Sequence, residues 1–175
     1  ICPAHTILAS NTSALSITEI ASVTNRPDKV IGLHFFNPPY AMKLVEVVMG
    51  AQTSEETRRI AEDFVKTLDK EAVTVKDSPG FIVNRIYLPM LNEAAYLLCE
   101  GKATIEDVDK AAVLGLNFPV GPFRLADYAG LDVALAVLEN LYKALGDKFK
   151  PCPILVDKVK AGHLGVKTGK GFYDY

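Results

Sequence analysis

A histidine and a glutamate, each inside an apolar run, carry the chemistry this sequence offers. His34 ends Val30-Ile31-Gly32-Leu33-His34-Phe35-Phe36, and Glu46 sits within Lys43-Leu44-Val45-Glu46-Val47-Val48. An imidazole that reaches a buried carboxylate makes a general base near neutral pH, because the carboxylate stabilises the imidazolium and fixes the tautomer. Both runs read as short strands, joined by a loop from Asn37 to Met42. Paired as an antiparallel hairpin with Phe36 opposite Leu44, they set His34 opposite Glu46. Directly opposed residues share a sheet face with Cβ atoms about 5 Å apart, close enough for a His–Glu hydrogen bond. The same spacing also suits a purely structural pair, in which His34 donates to Glu46 only to satisfy burial.

Other polar residues stand where they could converge on such a base. Ser13 follows a strand-like run in an α/β unit, where ligands gather at the carboxyl ends of strands; its rival role is helix capping, which Ser16 fills better. Asn37 could orient a substrate oxygen, although a turn before Pro38 explains it more simply. Asn84 enters a very apolar helix, so its amide either bonds a backbone group or faces a polar site. Phe35 and Phe36 read as core, His163 as solvated, and His5 has no partner in sequence. No His, Cys and carboxylate set has metal-ligand spacing, so no metal site is expected.

The elements that must position these groups change character along the chain. Up to residue 77, strands alternate with helices: strand signals at 6–10, 30–36, 43–48 and 71–75, with turn chemistry at Asn25-Arg26-Pro27-Asp28. Ser16-Ile17-Thr18-Glu19 and Thr53-Ser54-Glu55-Glu56 have capping-box spacing. In the second helix Ile60, Phe64, Val65 and Leu68 fall on one apolar face. From residue 78 the chain reads as helices punctuated by glycine. One spans 81–100 with a kink at Pro89. One starts at Thr104 and ends near Gly115. Others span 122–129, 131–145 and 154–161, and the tail from Gly162 to Tyr175 is expected to be irregular.

An α/β segment with so few strands would expose a sheet edge and a face unless something covered them. No Gly-x-Gly-x-x-Gly turn follows an early strand, and the glycine-rich run Gly165-Val166-Lys167-Thr168-Gly169-Lys170-Gly171 fails phosphate-loop spacing. The chain is therefore expected to be the C-terminal portion of a larger enzyme.

Composition narrows the function classes. Nearly half of the 175 residues are hydrophobic, about a quarter are charged and the net charge is −2, so the chain is ordinary globular protein. Scattered basic residues offer no electrostatic footprint for nucleic acid. No apolar run approaches the roughly 20 residues that span a bilayer. Cys2, Cys99 and Cys152 are odd in number and far apart in sequence, which suits reduced thiols in a cytoplasmic compartment.

The motifs together resemble the NAD-dependent (S)-3-hydroxyacyl-CoA dehydrogenases, particularly the bacterial 3-hydroxybutyryl-CoA type. The resemblance rests on Ala9-Ser10-Asn11-Thr12-Ser13, His34-Phe35-Phe36-Asn37-Pro38 and Met42-Lys43-Leu44-Val45-Glu46-Val47. It continues through Pro79-Gly80-Phe81-Ile82-Val83-Asn84-Arg85, Gly121-Pro122-Phe123 with Asp127, and Lys167-Thr168-Gly169-Lys170-Gly171-Phe172-Tyr173. It implies that residues 1–77 are the second half of a Rossmann-type NAD-binding domain. Residues 78–175 would then be an all-α domain, like the C-terminal domain of 6-phosphogluconate dehydrogenase, that dimerises and closes the active site. His34 would be the general base, oriented by Glu46. Ser13 and Asn84 would position the substrate hydroxyl and thioester end, with Ser13 also near the cofactor. Asn37 would lie near the reacting carbon and the nicotinamide, and Lys167 would reach NAD. An acyl-CoA is the implied substrate, and most of the NAD site would lie outside this chain, so the isolated chain is expected to be almost inactive.

The apolar stripes Leu91, Ala95, Leu98 and Leu131, Leu135, Leu138, Leu141 exceed what one small bundle needs, which fits a homodimer; the alternative is that they face each other within one chain. A related 3-hydroxy-acid dehydrogenase, or a non-catalytic dimerisation module, are the competing functional readings.

Overall fold

Strands rich in Val, Ile and Leu build the first part of the computed structural model, which describes residues 2–175. Two compact units divide it, Ile1–Val83 and Asn84–Tyr175. In the first, β1 (Leu8–Ser10), β2 (Val30–Phe35), β3 (Leu44–Met49) and β4 (Glu71–Lys76) form one sheet in the order β1-β2-β3-β4. β1 runs parallel to β2 and β3 parallel to β4, while β2 and β3 are antiparallel. This is a Rossmann-like α/β sheet followed by a helical region.

The two-residue period of the strands sorts their side chains onto two faces. Ile31, Leu33, Val45 and Val47 pack with Ala61 and Val65 of α2 (Glu55–Thr67). Val30 and Val48 pack with Ile17 and Ala21 of α1 (Ile17–Ser22) and with Phe81. Gly32 has to lie between the latter pair. A Cβ there would fall 2.8 Å from Val48 Cβ and 3.0 Å from Ile17 Cδ1, so only glycine lets α1 sit down on the strand.

Helix α1 starts where the capping-box spacing predicts. Ser16 accepts from the Glu19 amide, and its hydroxyl donates to Asp77 Oδ2 at 2.6 Å. The Thr18 amide donates to the same oxygen at 2.8 Å, tying the end of β4 to the start of α1. Two expectations for α2 need correction. Its N-cap is Ser54, which accepts from the Thr57 amide, while the Thr53 hydroxyl donates to the Val30 carbonyl. Its buried face is Thr57, Ala61 and Val65, whereas Ile60, Phe64 and Leu68 are 41 to 50 % exposed. Thr57 sets this rotation by donating to the Asp28 carbonyl at 2.8 Å, and Ala61 permits close approach to the sheet.

The second unit is helical. It comprises α3 (Val83–Cys99, whose first residue belongs to the first unit), α4 (Ile105–Leu116), α5 (Pro122–Ala129), α6 (Leu131–Leu145) and α7 (Pro153–Lys160). Pro89 lies inside α3 without ending it. α4 continues past Gly115 and closes at Asn117, whose φ of 57° is the left-handed conformation asparagine tolerates at a helix end. Leu91, Leu131, Leu135, Leu138 and Leu141 are buried within the single chain, so these stripes are internal and not surplus.

Two buried aspartates organise the rest. Asp109 accepts from the Phe123 and Arg124 amides at the start of α5 and from the Tyr173 hydroxyl. A Cβ on Gly121 would meet its carboxyl carbon at 2.2 Å, which leaves glycine as the residue that fits. Asp127 accepts from the Phe172 and Tyr173 amides at 2.9 Å and from the Tyr175 hydroxyl. These bonds anchor the tail, which is irregular as expected apart from a 3-10 turn at Val166–Thr168 and isolated bridges from Lys170 to Gly165 and to Asp174.

Candidate active site

The β2–β3 hairpin takes the register considered for these two runs, with His34 opposite Glu46 and Phe35 opposite Val45. Both side chains point to the α1 face, since they share parity with Val30 and Val48. His34 Nδ1 and Glu46 Oε2 are 2.7 Å apart, and the two side chains are 4 % and 1 % exposed. The other carboxylate oxygen, Oε1, accepts from the backbone amides of Ile82 at 3.0 Å and Val83 at 2.9 Å. As a carboxylate, Glu46 can only accept, so Nδ1 carries the proton of this bond. The neutral ring then presents its lone pair at Nε2. That atom lies 3.1 Å from Ser13 Oγ, whose hydroxyl donates to it.

Local chain chemistry explains how Ser13 arrives there. β1 and β2 are parallel, so their carboxyl ends lie side by side. Beyond Ser10 the main chain leaves the sheet, and Asn11 Oδ1 replaces it by accepting from the Phe35 amide at 2.9 Å. Thr12 Oγ1 accepts from the Ala14 and Leu15 amides, closing the short loop that carries Ser13 across the imidazole. The ring of His34 is flanked by Phe36, with centroids 4.5 Å apart, and by Phe81 at 5.6 Å in an edge-on contact.

The structure thus brings His34, Glu46 and Ser13 together. Asn37 is exposed at the start of the β2–β3 loop, where Asn37-Pro38 is a cis peptide and the Pro38 carbonyl accepts from Ala41 and Met42. Asn84 is half-buried as the second residue of α3, in the helical unit. Lys167 lies in the tail of that unit, its ammonium 2.5 Å from Asp132 Oδ1. Hydrogen bonding to Lys167 holds the Asp132 carboxyl below the usual carboxylate range, against the pull of its partial burial.

Sequence reasoning missed three contributors: Asn11, the Ile82 and Val83 amides, and Phe81 with its left-handed φ of 47°. The polar cluster after β1 and the Pro-Gly pair before Phe81 were the available signals, but both are long-range partners whose targets lie more than 20 residues away.

Residues 1–78 match the 3-hydroxyacyl-CoA dehydrogenase NAD binding domain, and residues 80–175 match the 3-hydroxyacyl-CoA dehydrogenase C-terminal domain. The chain belongs to the 3-hydroxyacyl-CoA dehydrogenase family. It is 57 % identical to "Probable 3-hydroxybutyryl-CoA dehydrogenase" of Bacillus subtilis (strain 168), over all of this chain and 61 % of that protein. The 3-hydroxybutyryl-CoA dehydrogenase of Clostridioides difficile is 53 % identical, again over the whole chain and 63 % of the relative. Among solved structures, (S)-3-hydroxybutyryl-CoA dehydrogenase from Ralstonia eutropha superposes with a TM-score of 0.92 at 52 % identity, covering 97 % of this chain and 60 % of that one. The chain spans about three-fifths of the length of these relatives.

The dinucleotide such a family uses can be tested against the residues present. Past the parallel strand ends of β1 and β2, the Ser13 hydroxyl lies at His34 Nε2 and Asn37 begins the β2–β3 loop, polar groups of the kind a nicotinamide end would need. Among the described residues no glycine-rich turn joins a strand to a helix in the manner that cradles a pyrophosphate.

Proposed function

We propose that the protein carrying this sequence oxidises (3S)-3-hydroxyacyl-CoA thioesters to 3-oxoacyl-CoA, with 3-hydroxybutyryl-CoA as the type substrate. The observation that carries this is the imidazole locked through Nδ1 by a buried carboxylate, with Nε2 facing a serine hydroxyl. His34 Nε2 takes the proton of the 3-hydroxyl as the C3–H bond breaks. Glu46 holds the ring in the tautomer that can accept and stabilises the imidazolium that forms. The substrate hydroxyl takes the place at Nε2 that the Ser13 hydroxyl holds, and Ser13 Oγ, turned to the substrate oxygen, steers it into line. NAD, when bound, supplies the acceptor for the hydride from C3. Ser13 and Asn37 would hold its nicotinamide end, and Lys167 is the further residue proposed for the cofactor. Asn84 would hold the thioester end of the substrate.

In this reading residues 1–77 are the part of the NAD-binding domain that carries the base, and residues 78–175 form the substrate and dimerisation domain. Exposed Ile86, Leu114, Leu116 and Val133 on the helical unit support a homodimer. The cysteines, far apart in sequence, are not all far apart in space: Cys99 Sγ and Cys152 Sγ lie 3.2 Å from each other, so the cytoplasmic setting is proposed from the sequence alone. Among the described residues, no helix is long and apolar enough to cross a membrane.

The test is NADH formation from (3S)-3-hydroxybutyryl-CoA, its 3R enantiomer and free 3-hydroxybutyrate. Oxidation confined to the 3S thioester is expected. Equal turnover of the free acid, or no turnover of the thioester, would contradict the reading.

A further inference from the structure

Phe81 is a bulky residue in a backbone conformation that disfavours it. Its φ is 47°, it follows Gly80 at φ 75°, and it is buried to 4 % exposure. An aromatic residue at positive φ is an outlier that persists only where its surroundings over-determine it. Here the surroundings are the apolar cluster of Ile17, Ala21, Val30 and Val48 on one hand and the base with its carboxylate on the other. The Phe81 amide closes a turn onto the Ser78 carbonyl at 3.0 Å. The left-handed step then turns the next two amides, Ile82 and Val83, onto the same oxygen of Glu46. Consecutive amides directed at one anion are the arrangement by which a short backbone segment binds negative charge. The ring of Phe81 meanwhile lies edge-on against His34, which Phe36 also contacts.

We propose that Phe81 is a positioning residue for the His34–Glu46 pair, acting on both partners at once. Its backbone aims the amides that fix Glu46, and its ring holds the plane of the imidazole so that Nε2 stays directed at Ser13. Glycine would adopt the same backbone without strain, so the contribution of the ring can be separated from that of the backbone step. This rests on His34 being the base, but its structural half does not depend on turnover.

Two variants separate ring from backbone. Phe81→Gly keeps the left-handed step and deletes the ring, while Phe81→Leu keeps bulk and deletes only the aromatic wall. The readout is the His34 imidazole in ¹⁵N and ¹H NMR of the whole chain, with thermal unfolding alongside. In the unchanged protein a single tautomer is expected, with a proton on Nδ1 protected from exchange with water. Phe81→Gly is expected to broaden that resonance or mix the tautomers, and Phe81→Leu to do so partially. In NAD-dependent turnover, Phe81→Gly is expected to lower kcat about tenfold with KM within about twofold, as small misplacements of a catalytic group do. A Phe81→Gly protein that folds and keeps the sharp Nδ1 proton would overturn the proposal, and a changed melting temperature alone would assign Phe81 to the core. Loss of fold in Phe81→Gly leaves Phe81→Leu to decide by the same resonance. If His34→Ala turned over normally, the reading of the reaction would fall, and the NMR result would still stand on its own.

Discussion

Nδ1 of His34 has one partner and Nε2 has another, and that division is the centre of the account. Glu46→Gln tests it at the residue scale. The amide oxygen can still accept from Ile82 and Val83, but an NH2 group then faces Nδ1. The ring must take the opposite tautomer, with its proton on Nε2, where it cannot act as a base. A fall in kcat of about 10²- to 10⁴-fold is expected, with acyl-CoA affinity little changed. Kinetics with calorimetric binding would check this, and a variant with near-normal kcat would show that tautomer control is not the role of Glu46. The pairing was legible only as one possible register, because β2 and β3 are near-continuous apolar runs buried on both faces and carry no alternation that would select it. The second set of bonds to Glu46 was not legible at all. It comes from amides 36 and 37 residues away, and backbone donors carry no residue-type signal.

Elements hold that register through close approaches and caps. Gly32→Ala puts a Cβ against Val48 and Ile17, so it is expected to cost about 1–3 kcal/mol of stability in chemical denaturation. An unchanged unfolding midpoint would mean that α1 can retreat from β2 at no cost. Asp77 links α1 to β4 and gives a pH dependence. Burial pushes its carboxyl up, but the Ser16 hydroxyl and the Thr18 amide outweigh burial and hold it below the ordinary carboxylate value. A group depressed in the folded state contributes stability above its unfolded value and loses it as pH falls through the folded one. Asp77→Asn is therefore expected to lower the melting temperature at neutral pH, with the gap closing as pH drops below about 4. A gap that widened in acid would contradict the assignment. The helices show where periodicity misleads. In α2 the large residues Ile60, Phe64 and Leu68 satisfy an apolar face, yet Thr57, with a hydroxyl bond to Asp28, and small Ala61 take the sheet side.

At the scale of the whole molecule, the order of elements was readable and the long-range staples were not. Strand–helix alternation up to β4, and glycine- or proline-bounded helices after it, mark the two kinds of architecture. The anchoring of the irregular tail was not readable, because it comes from Asp127, 45 and 46 residues from the amides it binds. The apolar stripes of α3 and α6 looked surplus because sequence does not show that they are consumed inside one chain. The residues left exposed are different ones. Leu114→Glu with Ile86→Glu, at positions 75 % and 67 % exposed, is expected to shift a dimer to monomer in sedimentation, whereas the same changes in a monomeric protein would leave its mass unaltered.

The decisive measurement is turnover of (3S)-3-hydroxybutyryl-CoA by a His34→Asn variant of the protein carrying this sequence, with acyl-CoA binding measured in parallel. The account predicts a loss in kcat of about 10³-fold or more, with binding within about threefold of the unchanged protein. A His34→Asn enzyme that kept its rate would show that the proton of the 3-hydroxyl leaves by another route.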